Sequence, residues 1–228
     1  MLKISKNDDP CVIEIGTDEV GRGPLFGRVY TASVILPKEN ETFDHSKMKD
    51  SKKFHSKKKI EEVADYIKEN AIAWSVTYEP EDVIDDINIL QATQKSMHKS
   101  IMKTRKKFMQ YAKEKQLKNY KIELLVDGNY FNPVTFLNET KTKLECIPHS
   151  CVKGGDNVYS CIAAASILAK VERDKYIDDL CETHPELKQN YNINYNKGYG
   201  AKAHIEGIKK HGITQWHRKS FGICKQYN

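Results

Sequence analysis

The chain has 228 residues, 30% of them charged, with a formal net charge of +6 and six cysteines. That length suits one domain with a proper core, and so small a charge excess admits an acidic or nucleic-acid partner without requiring one. The absence of any Cys-x-x-Cys pair, signal-type apolar core or bilayer-length apolar stretch argues against structural zinc, a disulfide scaffold, secretion and membrane insertion. The expectation is a soluble, reduced, cytoplasmic protein.

Taken in chain order, residues 13–36 read as strand, glycine-rich turn, strand. An apolar run ends at Thr17, and Asp18 and Glu19 follow where the first strand is expected to stop. Gly21, Arg22, Gly23, Pro24 and Gly27 come next, and residues 29–36 return as a β-branched strand. Neighbours on a strand face opposite ways, so the two acids converge only if the chain turns between them or a ligand sits at the strand's edge. Glycines there let backbone approach such a ligand closely.

Residues 37–44 read as a loop. Ser56 is a fair N-cap for a helix with Ile60, Val63, Ala64 and Ile67 on its buried stripe. Residues 71–78 read as a third strand and 79–86 as a short acidic helix or a turn. A long helix starts at Asn88 and ends near Gln116, with Leu90, Met97, Ile101, Phe108 and Ala112 on one side. The compact apolar run 122–128, stopping at Asp127-Gly128, reads as a parallel crossover strand, and residues 146–152 as a fifth strand. Lys153, Gly154, Gly155 and Asp156 precede the strongest helix, whose small-residue start (Ala163, Ala164, Ala165, Ser166) allows close packing. From about residue 185 the chain reads as helical pieces, with a cap at Thr214 before WHRKSFGI. This order suits an α/β fold, a mixed five-stranded sheet flanked by helices with a helical carboxyl-terminal extension, in one domain over 1–228.

Lysines crowd residues 47–59, with a second basic group at Lys99, Lys103, Arg105, Lys106 and Lys107. A solvated helix face explains most such charges; backbone contact to nucleic acid is the rarer outcome for each.

Asp18, Glu19, Asp127 and Asp156 share one trait: each ends or follows an apolar strand-like run beside glycine. Loops at the carboxyl ends of strands are where open α/β sheets build sites. Clustered carboxylates repel unless a cation neutralises them, and hard oxygen ligands without nearby His or Cys suit Mg²⁺ or Mn²⁺. Two such ions can activate a water on one side of a phosphodiester and stabilise the leaving oxygen on the other. Taken singly, each acid reads equally well as a turn residue or helix cap.

The block GTDEVGRGPLFG resembles the amino-terminal signature of the ribonuclease HII family, and the Gly-Arg-Gly step separates it from the sister ribonuclease HIII family. DSKK (Asp50 to Lys53), KGGD followed by AAASILAK, NKGYGAKAH and HRKSF resemble further blocks of that family, in the expected order over nearly the whole chain. The resemblance implies a ribonuclease H-like fold whose first three strands are antiparallel. It implies a monomeric endonuclease that cuts RNA in RNA–DNA hybrids, and cuts 5′ of single ribonucleotides embedded in duplex DNA, leaving 3′-hydroxyl and 5′-phosphate ends.

By the same resemblance Asp18, Glu19, Asp127 and Asp156 are the catalytic, metal-holding acids. Gly21, Arg22 and Gly23 grip the ribose 2′-hydroxyl and nearby phosphates, Tyr199 packs on the sugar at the RNA–DNA junction, and Lys52 and Lys53 touch the backbone. Asp174 lies eighteen residues past Asp156, about 27 Å along a continuous helix, so pairing with Arg173 or Lys170 suits it better. The chain departs from the family pattern at Arg28 (usually proline), Ala201 (usually threonine) and the extra glycine between Lys153 and Asp156. His217 and Arg218 read as structural, and His204 is open. Two other classes compete: a silent hybrid-binding module, disfavoured because all four acids are present, and a sugar-blind duplex nuclease, disfavoured by residues 21–23 and Tyr199.

Overall fold

The computed structural model describes residues 2–39, 41–138, 140 and 142–227; residues 1, 40, 139, 141 and 228, including one position of the expected 37–44 loop, lie outside the described residues. Strand β1 (Val12–Val20) turns into β2 (Val29–Ile35), helix α1 (Lys57–Asn70) leads to β3 (Ala73–Glu79), and α2 (Glu81–Glu114) crosses to β4 (Lys121–Asp127). A small pair, β5 (Thr135–Leu137) and β6 (Leu144–Cys146), precedes β7 (His149–Val152) and α3 (Ser160–Thr183). Helices α4 (Pro185–Tyr191), α5 (Ile193–Asn196) and α6 (Lys202–His211) end the chain with a 3-10 turn, Gly222–Tyr227.

The main sheet has five strands in the order β3-β2-β1-β4-β7. As the resemblance implied, β1, β2 and β3 pair antiparallel, whereas β4 and β7 join as parallel strands. Every residue of β2 is buried because helices cover both of its faces. Tyr30, Ala32 and Val34 pack with α1 and α3, while Ile35 packs with Met97, Ile101 and Phe108 of α2. Hydroxyls on the α2 side satisfy one another: Thr31 Oγ1 meets Ser96 Oγ at 2.7 Å, and Ser33 Oγ meets Ser100 Oγ at 2.7 Å.

Local signals held in several places. Ser56 caps α1 by accepting from the Lys59 N–H, and Ile60, Ala64 and Ile67 are its buried stripe, with Val63 half-buried. The long helix does begin at Asn88: this residue breaks α2 with φ 66° and ψ 163°, and its Oδ1 accepts from the N–H of Leu90 and Gln91. The small-residue start of α3 lies against β1 so closely that a Cβ on Gly16 would stand 2.3 Å from the Cys161 carbonyl carbon. Three cysteines, Cys161, Cys181 and Cys224, are buried.

The fifth strand differs from the expected 146–152. Residues 144–146 pair with β5 in the separate hairpin, and only His149–Val152 joins the main sheet. Pro148 sits at the junction; lacking an N–H it cannot continue a ladder as donor, yet its carbonyl accepts from Leu124. Strand β1 also runs further than expected, since Asp18, Glu19 and Val20 stay paired to Ala32, Thr31 and Tyr30. Thr214 caps no helix: its N–H goes to His217 Nδ1, and the next helical residues are the 3-10 turn from Gly222. There the side chains of His217 and Arg218 turn inward and bury, which an exposed helical face would not allow.

Candidate active site

Because β1 and β4 are parallel neighbours in the register Thr17↔Val126, Asp18 and Asp127 emerge side by side at the sheet's carboxyl edge. Asp18 is buried and faces α3, where the Ser166 hydroxyl bonds it; Ser166 in turn meets Ser51 Oγ at 3.1 Å. Glu19 points to the opposite face, so no turn brings the two together. It lines a cavity of about 170 Å³ with Arg22, Asp127, Thr93, Gln94 and Tyr130. Its carboxylate pairs with Arg22 Nη1 at 3.2 Å.

The fourth acid arrives by a loop. Gly154 adopts a left-handed φ of 64°, and Asp156 sits buried in the 3-10 turn Gly155–Asn157 rather than capping α3. The Gly155 N–H donates to Asp127 Oδ1 at 2.6 Å, tying the third and fourth acids' segments together. Asn157 Nδ2 bridges Asp156 Oδ1 and Asp50 Oδ2, and Lys53 Nζ donates to Asn157 Oδ1. Lys153, by contrast, is exposed.

Asp18, Glu19 and Asp156 each feel the charge of Asp127. Burial first, then the charges of Glu19 and Asp127, hold Asp18 well above the usual carboxylate range. Burial raises Glu19 against the opposing pull of Arg22, and burial with the charges of Asp50 and Asp127 raises Asp156. Among the described residues no three His, Cys, Asp or Glu side chains stand in ligating geometry. The all-oxygen donor set and the upward shifts nonetheless fit divalent cations, which would favour the charged carboxylates.

Beside the acids, residues 21–27 form the rim. Gly21 has φ +88°, and a Cβ there would stand 2.3 Å from Nε of the buried Arg173. Arg173 donates to the carbonyls of Phe26, Arg28 and Lys197. Gly23 lies against the ring of Tyr199, which is 50% exposed and therefore open to a partner.

A family model described as ribonuclease HII matches residues 15–224. The chain belongs to the ribonuclease HII family. The ribonuclease HII of Parabacteroides distasonis is 42% identical over 214 residues, spanning 94% of this chain and 92% of that protein. The fold is similar to that of ribonuclease H2 from Pyrococcus horikoshii OT3, with TM-score 0.67 and 19% identity over 94% and 96% of the two chains. It is also similar to Bst-RNase HIII, solved in complex with Mn²⁺, with TM-score 0.62 and 18% identity over 95% and 69%.

The departures from the ribonuclease HII pattern have distinct consequences. The extra glycine accompanies the Gly155 contact to Asp127, and Asp156 lies near enough to feel the Asp127 charge. Arg28 is held between the rings of Tyr78 and Tyr176, 4.2 and 4.3 Å from their centroids, as a half-buried stacking partner. Ala201 stands at the N-cap of α6, where no side chain bonds the helix's free N–H groups. Ala201→Thr is expected to add about 1 kcal/mol and raise Tm by roughly 2–4 °C in a thermal melt; an unchanged Tm would count against a missing cap.

Asp174 pairs with Lys170 on α3, as its spacing suggested. His204, left open by the sequence, is buried and completes a chain with defined proton positions. The Thr214 N–H donates to His217 Nδ1, so the His217 proton lies on Nε2 and points at His204 Nε2, 3.0 Å away. His204 then donates from Nδ1 to the Tyr199 carbonyl at 2.8 Å. Burial and the neighbouring His204 push His217 down to about 3, consistent with a neutral pair.

Lys52 and Lys53 are the exposed residues of the 3-10 turn Ser51–Lys53, beside Asp156 and Asn157. Much of the remaining lysine excess is locally paired: Lys47 with Asp44, Lys57 with Asp178, Lys99 with Glu79. Sequence reasoning missed Asp50, Ser51, Asn157 and Ser166 as neighbours of the acids. In DSKK the lysines stand out, and the Asp-Ser pair that opens it is the signal for Asp50 and Ser51.

Proposed function

We propose that this chain is a divalent-metal-dependent endonuclease that cuts RNA in RNA–DNA hybrids and cuts 5′ of single ribonucleotides in duplex DNA. Membership of the ribonuclease HII family supports hydrolysis of RNA paired with DNA; the junction cut and the 3′-hydroxyl and 5′-phosphate ends are this reading's finer content. One observation carries it: parallel β1 and β4 set Asp18 beside Asp127 at the same rim that presents residues 21–23 and Tyr199.

Asp18, Glu19, Asp127 and Asp156 would hold Mg²⁺ or Mn²⁺. Bound there, a pair of divalent cations supplies Lewis acidity toward the phosphate and lowers the pKa of water. The chain's own groups do the rest. Ser166 orients the Asp18 carboxylate, and Gly155 orients that of Asp127. Backbone at residues 21–23 recognises the ribose 2′-hydroxyl, which serves recognition rather than attack. Tyr199 packs on the sugar, while Arg22, Lys52 and Lys53 position phosphates without reading sequence. In this reading the protein acts as a monomer in the cytoplasm; among the described residues no helix is long and apolar enough to cross a membrane.

The test is cleavage of a DNA duplex carrying one ribonucleotide, beside an all-DNA duplex and a continuous hybrid, with Mg²⁺, Mn²⁺ or chelator. Cutting just 5′ of the lone ribonucleotide, lost with chelator, is expected. Cleavage of the continuous hybrid alone would remove the sugar-sensing role from residues 21–23 and Tyr199. Equal cleavage of the all-DNA duplex would overturn the reading.

A further inference from the structure

Arg218 is fully buried, 0% exposed, although a guanidinium carries charge and five N–H donors. Burial and the neighbouring Arg173 pull its pKa down to about 9, so it stays charged at neutral pH. Its hydrogen bonds go to carbonyls of one loop: Nε to Gly27 at 2.8 Å, Nη1 to Arg22 and Pro24 at 2.9 Å each, and Nη2 to Gly21 at 2.6 Å. Such a cation, desolvated and bonded to neutral oxygens, is costly for fold stability alone.

The consequence follows from the planarity of the peptide unit. No cis peptide occurs among the described residues, so each N–H points opposite to the carbonyl of its own plane. The Gly21 carbonyl shares a plane with the Arg22 N–H, and the Arg22 carbonyl with the Gly23 N–H. With both carbonyls drawn inward to Arg218, both N–H groups point away from it, at residues that are themselves exposed. Successive N–H groups turned to one side form a concavity for an electronegative oxygen. The next carbonyl on Arg218, that of Pro24, turns the Leu25 N–H to the Gly198 carbonyl, which anchors the loop to the Tyr199 segment.

We propose that Arg218 is a positioning residue for sugar discrimination: its bonds to the carbonyls of Gly21 and Arg22 present the Arg22 and Gly23 N–H groups as paired donors to the ribose 2′-hydroxyl oxygen. This rests on the function proposed above and extends it to a residue almost two hundred positions away in sequence. A lysine at 218 keeps the charge but offers one donor centre in place of the planar fork, and so cannot hold four carbonyls in the same directions.

The measurement is equilibrium binding by fluorescence anisotropy, in chelator so that no turnover occurs. Wild type, R218K and R218M are each titrated with a duplex carrying one ribonucleotide and with the same duplex in all-DNA form. Wild type is expected to prefer the ribonucleotide. R218K and R218M are expected to lose at least about tenfold of that preference, with affinity for the all-DNA duplex changed less than about twofold. A folded R218K with the wild-type preference overturns the role of Arg218, as does an equal loss of affinity for both duplexes. A wild type that binds both duplexes alike overturns sugar sensing and this role together.

Should neither variant fold by near-UV circular dichroism, amide hydrogen exchange on the wild type decides. Protection of the Arg22 and Gly23 amides by the ribonucleotide duplex alone supports the assignment; no protection there overturns it.

Discussion

Asp18→Asn is expected to reduce Mg²⁺- or Mn²⁺-dependent cleavage by more than about a hundredfold, since even outer-shell changes at metal sites cost roughly 10–100-fold. The same substitution is expected to leave the metal-free fold at least as stable at pH 7. Burial, Glu19 and Asp127 all raise the Asp18 carboxyl. A group that binds its proton more tightly when folded contributes stability at low pH and loses it as pH rises through the raised value. Above the ordinary carboxylate range the raised Asp18 carboxyl therefore works against the fold, and a neutral amide of the same shape relieves that strain.

The thermal melt supplies a readout independent of turnover. A divalent ion at a hundred times its Kd stabilises the native chain by about 2.7 kcal/mol, roughly 5–10 °C in Tm for a chain of this size. D18N is expected to lose most of that rise. Wild-type cleavage by D18N, or a Mn²⁺-induced Tm rise equal to wild type, would remove Asp18 from the metal set.

Gly16→Ala is expected to give the largest stability loss, about 3 kcal/mol or more, lowering Tm by roughly 6–12 °C or preventing folding. The new methyl would lie 2.3 Å from the Cys161 carbonyl carbon and 2.6 Å from the Ile162 nitrogen, both helix backbone. No rotamer change relieves a clash with backbone, so α3 would have to lift from β1. That lift would carry Ser166 away from Asp18, so any G16A protein that folds is expected to lose cleavage along with stability. Thermal melts and the cleavage assay on one preparation test both effects, and a Tm within 2 °C of wild type would contradict the close packing.

The residue order alone determined a good deal. The burial stripe of α1, the Asn88 start of the long helix and the small-residue face of α3 were legible because local periodicity and capping chemistry are written within a few residues of where they act. The strand–glycine turn–strand opening was legible for the same reason, although β1 runs on through the acids. The blocks from GTDEVGRGPLFG to HRKSF carried the family, and with it the antiparallel opening of the sheet that periodicity could not supply.

Tertiary structure decided what depends on partners distant in the chain. The parallel register of β1 with β4 sets Asp18 beside Asp127, and nothing local to either strand specifies that pairing. Pro148 divides an apparently continuous apolar run because one side finds β5 and the other finds β4. Asp50, Ser51 and Asn157 joined the acids' surroundings only when the segment bearing DSKK met the turn bearing Asp156 and, at Ser51, the Ser166 hydroxyl of α3. Arg218 shows the limit most plainly. The arginine in HRKSF reads as structural from sequence, yet only the fold names what it holds, because the carbonyl oxygens that accept its hydrogen bonds lie 191 to 197 residues earlier in the chain.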